Sequence, residues 1–344
     1  MHIYYIITLL TSFILTYLFV PVNIKLSKKW KLVDYPQERK IHTIITPIAG
    51  GLSFGIPIIL IQITIYFLFP ILGFQLLYLS IGGFFMLLLG FLDDKYRLNA
   101  SYKLLFQIII VSIIYFSGFN IQLLTNPFGQ TIALGYFSFP VTVLWFLLVV
   151  NAFNLIDGMD GLASGIAVIV ATVLLAVGVL KSNTIIVFSS ILLIGANLAF
   201  LKYNFYPAKI FMGDTGSLFL GFNIAAISII GESGFKGITS MTLLVPIIAL
   251  TIPIMDTTFA IFRRVNKRKN IFKADKQHIH HKLHEIGLSQ KDIALISYFI
   301  TFLFGLIAFG FSFSSKKLLL SILLILLFIL LLVVFSIFKK ELKK

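Results

Sequence analysis

The sequence predicts an all-α, polytopic membrane protein with about eleven transmembrane helices, N-terminus outside and C-terminus in the cytoplasm. Three observations carry that prediction. The 344 residues are 59% hydrophobic and only 12% charged, with mean hydropathy +1.02, a balance typical of bilayer-embedded chains. The apolar residues fall in runs of membrane-crossing length separated by short polar segments. The charges lie almost wholly on one side of those runs.

The runs lie near 3–24, 47–70, 74–92, 103–119, 138–153, 162–180, 184–201, 216–231, 239–261, 293–313 and 318–338. With an outside N-terminus, segments 25–46, 93–102, 154–161, 202–215, 262–292 and the tail after 338 face the cytoplasm. Segments 120–137, 181–183, 232–238 and 314–317 face outward. Of 28 basic residues only Lys181, Lys236, Lys316 and Lys317 are then outside, and the other 24 lie on or beside the inner segments. That is the positive-inside pattern. Of 13 acids only Glu232 is outside. The orientation rule does not demand this, so one face is expected to do the chemistry. The chain reads as a single domain, 1–344, whose cytoplasmic loops form that face.

The first run opens MHIYYIITLL without a basic n-region, so it reads as a membrane helix and not a cleaved leader. There is no cysteine, which excludes a disulfide framework and thiolate chemistry. A net charge of +15 would suggest nucleic acid in a soluble protein. Here the cytoplasmic loops account for it, and the expected partners are anionic lipid and anionic substrates, with no nucleic acid. The outer stretch TIALGYFSF alternates and predicts a short hairpin. The last run is apolar apart from serines and ends in KKELKK, an ordinary cytoplasmic anchor.

The polar interruptions hold the candidate chemistry. In NAFNLIDGMDGLASG (151–165), Asn154, Asp157 and Asp160 recur at i, i+3 and i+6. One such residue is explained by a turn or cap. Three on one helical stripe point to a binding site, because carboxylates near hydrocarbon are costly. Asp93 and Asp94 end the third run. Acids there oppose the helix macrodipole and repel each other, so a cation must neutralise them: Lys95, Arg97, Lys103 or a divalent metal. Lys103 opens the next run, where a phosphate could meet both the lysine and a helix N-terminus. In Phe211-Met212-Gly213-Asp214-Thr215-Gly216-Ser217, Asp214 is either a helix cap or a functional carboxylate. Phe211 offers a ring face, and Asn204 lies just upstream.

Arg39, Lys40 and His42 cluster ahead of Gly50-Gly51, a pair that would let backbone approach a ligand. Segment 262–292 holds a basic run, Arg263–Lys269, which reads as a solvated, lipid-facing patch. It also holds His278, His280 and His281. Zinc is the obvious guess for such histidines, but cysteine is absent and carboxylates dominate the other loops. Hard oxygen ligands suit magnesium better. The histidines are read as donors to phosphate or sugar oxygens. Asp256, inside the ninth run, is open between a structural ion pair with Arg263 and a functional role.

Taken in order, DYPQERKIH with PIAGG, FLDD, SYKLL, NAFNLIDGMDGLASG, YNFYPAKIFMGDTGSL and the HIHH loop resemble the polyprenyl-phosphate N-acetylhexosamine-1-phosphate transferases over essentially the whole chain. The resemblance implies transfer of N-acetylglucosamine-1-phosphate from UDP-N-acetylglucosamine to undecaprenyl phosphate, releasing UMP. It implies magnesium, with manganese as a substitute, at the cytoplasmic face of a bacterial plasma membrane. It makes Asp214 a metal ligand with Asp93, and sets Asp93 and Asp94 beside the lipid phosphate. Asp157, Asp160, His280 and His281 become catalytic. Arg39, Lys40, His42, Lys103, Asn154, Asn204 and His278 become substrate contacts, and Phe211 the ring stacking on uracil. A homodimer is compatible with it.

The HIHHKLHEIGLS loop and the eleven runs look like the UDP-N-acetylglucosamine branch. The alternative is the phospho-MurNAc-pentapeptide translocase branch, usually with ten spans and a more histidine-rich loop. One departure is Ile48-Ala49, where many relatives have a basic residue. From another class, an ion-coupled transporter would need acids near the midplane and an internal repeat. Nearly all the acids sit at span ends, and no repeat is evident.

Overall fold

The computed structural model describes residues 1–36, 45–125, 131–230 and 289–310, with Ile322, Ile325 and Leu326. The expected runs near 239–261 and 318–338 lie outside these residues, as does Asp256. Among the described residues there are nine α-helices: α1 (His2–Lys29), α2 (Leu52–Leu68), α3 (Gln75–Tyr96), α4 (Ala100–Phe116), α5 (Ser138–Ile156), α6 (Leu162–Leu180), α7 (Thr184–Asn204), α8 (Gly213–Ile229) and α9 (Gln290–Gly310). Six of them, α1, α3, α5, α6, α7 and α9, are long and apolar enough to cross a membrane. The other three are 17 residues each, near the shorter limit for a span.

The departure from a purely helical chain is two short antiparallel pairs. Strand β3 (Leu123–Thr125) pairs with β4 (Thr131–Ala133), the hairpin that the alternating outer stretch predicted. At the opposite end β1 (Val33–Asp34) pairs with β2 (Thr46–Pro47). The second apolar run was expected to begin as helix near 47. It becomes helical only at Leu52, because Thr46–Gly51 is laced to other backbone. The Phe211 N–H donates to the Pro47 carbonyl (2.9 Å). The Gly50 and Gly51 N–H groups donate to the Phe211 and Met212 carbonyls (2.9 Å each).

Helix α1 turns its polar side inward. Its buried residues are Thr8, Ser12, Thr16, Val20, Asn23 and Ser27, while Ile6, Leu10, Ile14 and Leu18 face outward. Lipid tails are as apolar as leucine, so burying leucine between helices gains little there. Small residues instead let backbones approach, and short hydroxyls bond across the seam. Ser12 Oγ donates to the Leu192 carbonyl of α7 (2.8 Å), and Asn23 Nδ2 donates to the Ala49 carbonyl (3.0 Å) and Ser53 Oγ (2.9 Å).

Helix α8 is the axis of the bundle. Every residue from Thr215 to Ile229 is buried, chiefly between α3 and α5, as expected for a helix apolar on all sides. Its N-terminal turn is gripped by glycines. A Cβ on Gly90 of α3 would overlap the Asp214 and Thr215 backbone, and one on Gly51 would overlap Thr215 and Gly216. The sequence suggested that Gly50-Gly51 would meet a ligand. In the structure Gly51 lies against the first turn of α8, and Gly50 against the Phe211 carbonyl and the Phe200 ring. Deeper in the bundle the buried polar groups are uncharged: Ser80 Oγ donates to Gln62 Oε1 (3.2 Å), and Gln62 Nε2 faces Asn223 Oδ1 (3.5 Å).

Overpacking of this kind typically costs about 1–3 kcal/mol. Gly90→Ala is therefore expected to lower the thermal unfolding midpoint of the purified protein in detergent and to reduce activity with it. An unchanged midpoint would mean that α3 and α8 do not meet at backbone distance.

Candidate active site

The three acidic segments converge where α3 ends and α8 begins. Helix α8 has no side-chain cap of its own. Asp94, in the last turn of α3, supplies one. Its carboxylate accepts the N–H of Asp214 (2.9 Å), the N–H of Thr215 (3.0 Å) and the Thr215 hydroxyl. An acid misplaced on its own helix dipole is thus well placed on another's. It follows that Asp214 is not the cap of α8, which was one of its two sequence readings.

Asp93 shapes the turn into α4. Its Oδ1 accepts the Leu98 N–H (2.8 Å) and its Oδ2 accepts from Lys103 Nζ (3.0 Å), across a residue, Arg97, in the left-handed region (φ 53°). The cation that the sequence required beside the acid pair is Lys103 for Asp93 and the α8 N-terminus for Asp94. Lys103 Nζ also forms an ion pair with Asp214 Oδ2 and approaches Asn154 Oδ1 (3.4 Å). Asn154 Nδ2 in turn donates to Asp214 Oδ1 (2.8 Å) and to Ser217 Oγ (3.0 Å). One turn further along, Asn151 Nδ2 of α5 donates to Gln107 Oε1 of α4 (2.8 Å). Two rungs, Lys103–Asn154 and Asn151–Gln107, therefore set α4 against α5. Sequence reasoning missed the lower rung, whose only signal was the i, i+4 spacing of Gln107 from Lys103.

The predicted stripe of Asn154, Asp157 and Asp160 is not one helical face. Helix α5 stops at Ile156, and Gly161 takes φ +73° before α6. Asp157 turns inward and accepts from the Gly213 N–H. Burial, with the Asp214 and Asp94 carboxylates nearby, pushes its carboxyl well above the usual range. Asp160 Oδ2 accepts the Ala208 N–H (2.9 Å), tying this turn to the 205–212 loop. Tyr298 of α9 donates its hydroxyl to the Gly161 carbonyl (2.6 Å), a support no motif announced. Asn204, expected against the nucleotide, is buried. Its amide donates to the Ile210 carbonyl (2.9 Å) and accepts from Ser164 (3.0 Å), so it clips the loop onto α6. The Phe211 backbone is bonded to segment 47–50, and its ring is partly buried. Arg39, Lys40, His42, His278, His280 and His281 lie outside the described residues.

A polar cavity of about 800 Å³ opens onto the cluster. Asp93, Asp94 and Asp214 line one wall, and Trp30, Tyr35 and Arg97 line others. Its size suits a nucleotide-sized ligand. Among the described residues no three His, Cys, Asp or Glu side chains form a ready-made metal cage. Asp93, Asp214 and the Asn154 amide oxygen nevertheless surround one cationic centre, the Lys103 ammonium. Such a set of hard oxygens fits a magnesium-type ion that keeps water and phosphate oxygens as its other ligands.

For Asp157 the folded pKa lies above the unfolded one, so folding favours the protonated acid. Its contribution to stability is present below pH about 4 and is lost as pH rises through the raised folded value. Asp157→Asn is expected to raise the unfolding midpoint of the chelator-treated protein at pH 7–8 and to flatten its pH dependence, while activity falls. A midpoint with unaltered pH dependence would mean that Asp157 is not charged at that cost.

A profile of the family described as "Glycosyl transferase family 4" matches residues 76–232, the stretch from α3 through α8. The chain is 39% identical over 307 residues to the "Probable undecaprenyl-phosphate N-acetylglucosaminyl 1-phosphate transferase" of Bacillus subtilis (strain 168), covering 88% of this chain and 83% of that protein. It is 32% identical over 327 residues to the "Decaprenyl-phosphate N-acetylglucosaminephosphotransferase" of Mycobacterium leprae (strain TN), covering 88% and 81%. It is 29% identical over 293 residues to the "Undecaprenyl-phosphate alpha-N-acetylglucosaminyl 1-phosphate transferase" of Escherichia coli (strain K12), covering 82% and 77%. With identity at that level across nearly the whole length, and with the profile falling on the helices that build the acidic cluster, this chain belongs to glycosyl transferase family 4.

Proposed function

We propose that the chain transfers N-acetylglucosamine-1-phosphate from UDP-N-acetylglucosamine to undecaprenyl phosphate with magnesium, releasing UMP, at the cytoplasmic face of a bacterial plasma membrane. The observation that carries this reading is the Asp93–Lys103–Asn154–Asp214 cluster at the mouth of a nucleotide-sized cavity. The names of the relatives support the donor and acceptor. The 24-to-4 distribution of basic residues supports the orientation.

The reaction joins a phosphate monoester to the sugar-bearing phosphorus of a diphosphate. A lipid phosphate oxygen forms the new P–O bond, the bond to the UMP oxygen breaks, and the electron pair leaves with UMP. Two unit charges 4 Å apart repel by about 4 kcal/mol at an effective dielectric of 20. Neutralisation and in-line positioning are therefore the main tasks. Lys103 supplies a cation between Asp93 and Asp214, and Asp94 fixes the α8 N-terminus that carries Asp214. Asp93, Asp214 and Asn154 would hold magnesium, which when bound adds charge neutralisation at the phosphates. A phosphate monoester with second pKa near 6 is mostly dianionic at pH 7. The lipid phosphate then attacks directly, and Asp93 orients phosphate and cation.

The test is transfer by the purified protein with undecaprenyl phosphate, magnesium and a panel of UDP-sugars. UDP-N-acetylglucosamine is expected to give the highest kcat/KM. Comparable turnover of UDP-MurNAc-pentapeptide would move the chain to the translocase branch, and activity undiminished by chelator would remove the metal.

Asp93→Asn distinguishes orienting from proton abstraction. An obligatory general base is typically worth about 10²–10⁴-fold, and its loss would persist at every pH. The expected result is a residual rate that rises through pH roughly 6, the phosphate's own ionisation, with partial rescue by added magnesium. A sugar phosphate trapped on Asp93 of the unmodified protein would make that residue the nucleophile instead.

A further inference from the structure

The first turn of α4 holds a cation in an unfavourable place. Lys103 is the fourth residue of that helix, at the end where the macrodipole is positive. Its ammonium is held there by oxygens from three other helices: Asp93 Oδ2 of α3 (3.0 Å), Asn154 Oδ1 of α5 (3.4 Å) and Asp214 Oδ2 of α8. An ammonium has three N–H donors, so these three oxygens engage them all. The side chain is only 14% exposed. Its charge nevertheless ends a flexible four-carbon stem, which can move while the helix stays in place.

The same three oxygens are those that a divalent ion would take, because the other carboxylate oxygens of the cluster are engaged. Asp94 accepts the Asp214 and Thr215 N–H groups and the Thr215 hydroxyl, and Asp157 accepts from the Gly213 N–H. Asp93 Oδ1 accepts the Leu98 N–H, and Asp214 Oδ1 accepts from Asn154 Nδ2. That last bond, with a second from Asn154 Nδ2 to Ser217 Oγ, fixes the amide so that its oxygen faces the ammonium. Hard oxygens of this kind suit magnesium. An ammonium and a divalent ion repel each other, and the two cannot share one set of oxygens. Asp93 and Asp214 also line the polar cavity, so a phosphate bound there is a rival acceptor for the ammonium.

We propose that Lys103 is the resident cation of the metal seat: its ammonium and a divalent ion hold Asp93, Asp214 and Asn154 in turn, and substrate phosphate admits the ion by drawing the ammonium away. This rests on the reading of the cluster as the magnesium site of a sugar-phosphate transferase. The exchange leaves the carboxylates paired with a cation throughout, which matters because an unpaired buried charge is costly. The freed ammonium then neutralises phosphate charge in place of carboxylate charge. Metal binding is weak alone and tighter beside phosphate, and by linkage the metal strengthens phosphate binding by the same factor. The chain thereby ties metal loading to the arrival of substrate.

The test measures Mn²⁺ binding to the purified protein in detergent, read as free Mn²⁺ by electron paramagnetic resonance, with and without UMP and against protein-free UMP. Lys103→Met removes the ammonium and keeps the stem. Lys95→Met removes the same charge from the cavity wall, where the Lys95 ammonium lies over the Tyr96 ring (5.1 Å). Without UMP, Lys103→Met is expected to bind Mn²⁺ about tenfold more tightly than the unmodified protein, within the usual range for coupled ligands, and to transfer sugar phosphate more slowly all the same. Lys95→Met should bind Mn²⁺ as the unmodified protein does. UMP should tighten Mn²⁺ binding by the unmodified protein and have less effect on Lys103→Met. On the unmodified protein, where no folding defect can intrude, acetic anhydride should acetylate Lys103 faster at saturating magnesium than in chelator, as read by mass spectrometry. Unchanged or weaker Mn²⁺ binding by Lys103→Met, equal tightening in Lys95→Met, or acetylation indifferent to magnesium would overturn the exchange and leave the magnesium reading standing. No Mn²⁺ bound by the unmodified protein, with or without UMP, would instead bring down that reading, and the exchange with it.

Discussion

The structure depends on one cross-helix contact, the Asp94 carboxylate on the first N–H groups of α8. A buried helix start carries orphan donors and a partial positive charge. With no capping side chain in α8 itself, those donors are satisfied by the end of α3. The contact is short-range and backbone-directed, so α3 must come very close. Gly90 allows that approach from α3, and Gly51 allows the matching one from the start of α2. Once α8 is docked, Asp214 in its first turn has little freedom, and Lys103, Asn154 and Asp93 arrange around it.

The charged groups form a partial network with more acids than nearby cations. Asp93 and Asp214 share Lys103, Asp94 is neutralised by backbone, and Asp157 has the Gly213 N–H. A site built only for stability would not crowd four carboxyl groups together with only Asp93 and Asp214 paired to an ammonium, since removing charge from water is costly unless it is paired. Under the proposed function, a divalent ion would offset that crowding of carboxyl groups when the phosphates of donor and acceptor bind. The cavity bordered by Asp93, Asp94 and Asp214 would give such substrates access.

Much of this was legible in the sequence because bilayer physics is strict. Apolar runs, one-sided charge and acids at span ends together located nine of the helices and the face that carries the cluster. The outer hairpin followed from alternation. What sequence reasoning missed were matters of partner choice. The spacing of Asn154, Asp157 and Asp160 looked helical, but Gly161 in the left-handed region broke the stripe. Gly50-Gly51 looked like a ligand approach and proved to be a backbone approach, since a glycine does not announce what comes near it. Asn204 looked like a substrate contact and is occupied by Ile210 and Ser164. Tyr298 carried no signal, because one hydroxyl on an apolar helix has no local pattern.

That hydroxyl bears on how the protein is made. Gly161 and Tyr298 are 137 positions apart, yet one hydrogen bond joins the turn that holds Asp157 and Asp160 to α9. During synthesis the carboxylate-bearing helices enter the bilayer first and wait for a brace that the ribosome has not yet delivered. Until α9 inserts and packs along α6, with Gly165 giving room for the tyrosine ring, the turn lacks its outer support. The turn that carries Asp157 and Asp160 is therefore fully braced only after α9 has been made and has packed along α6.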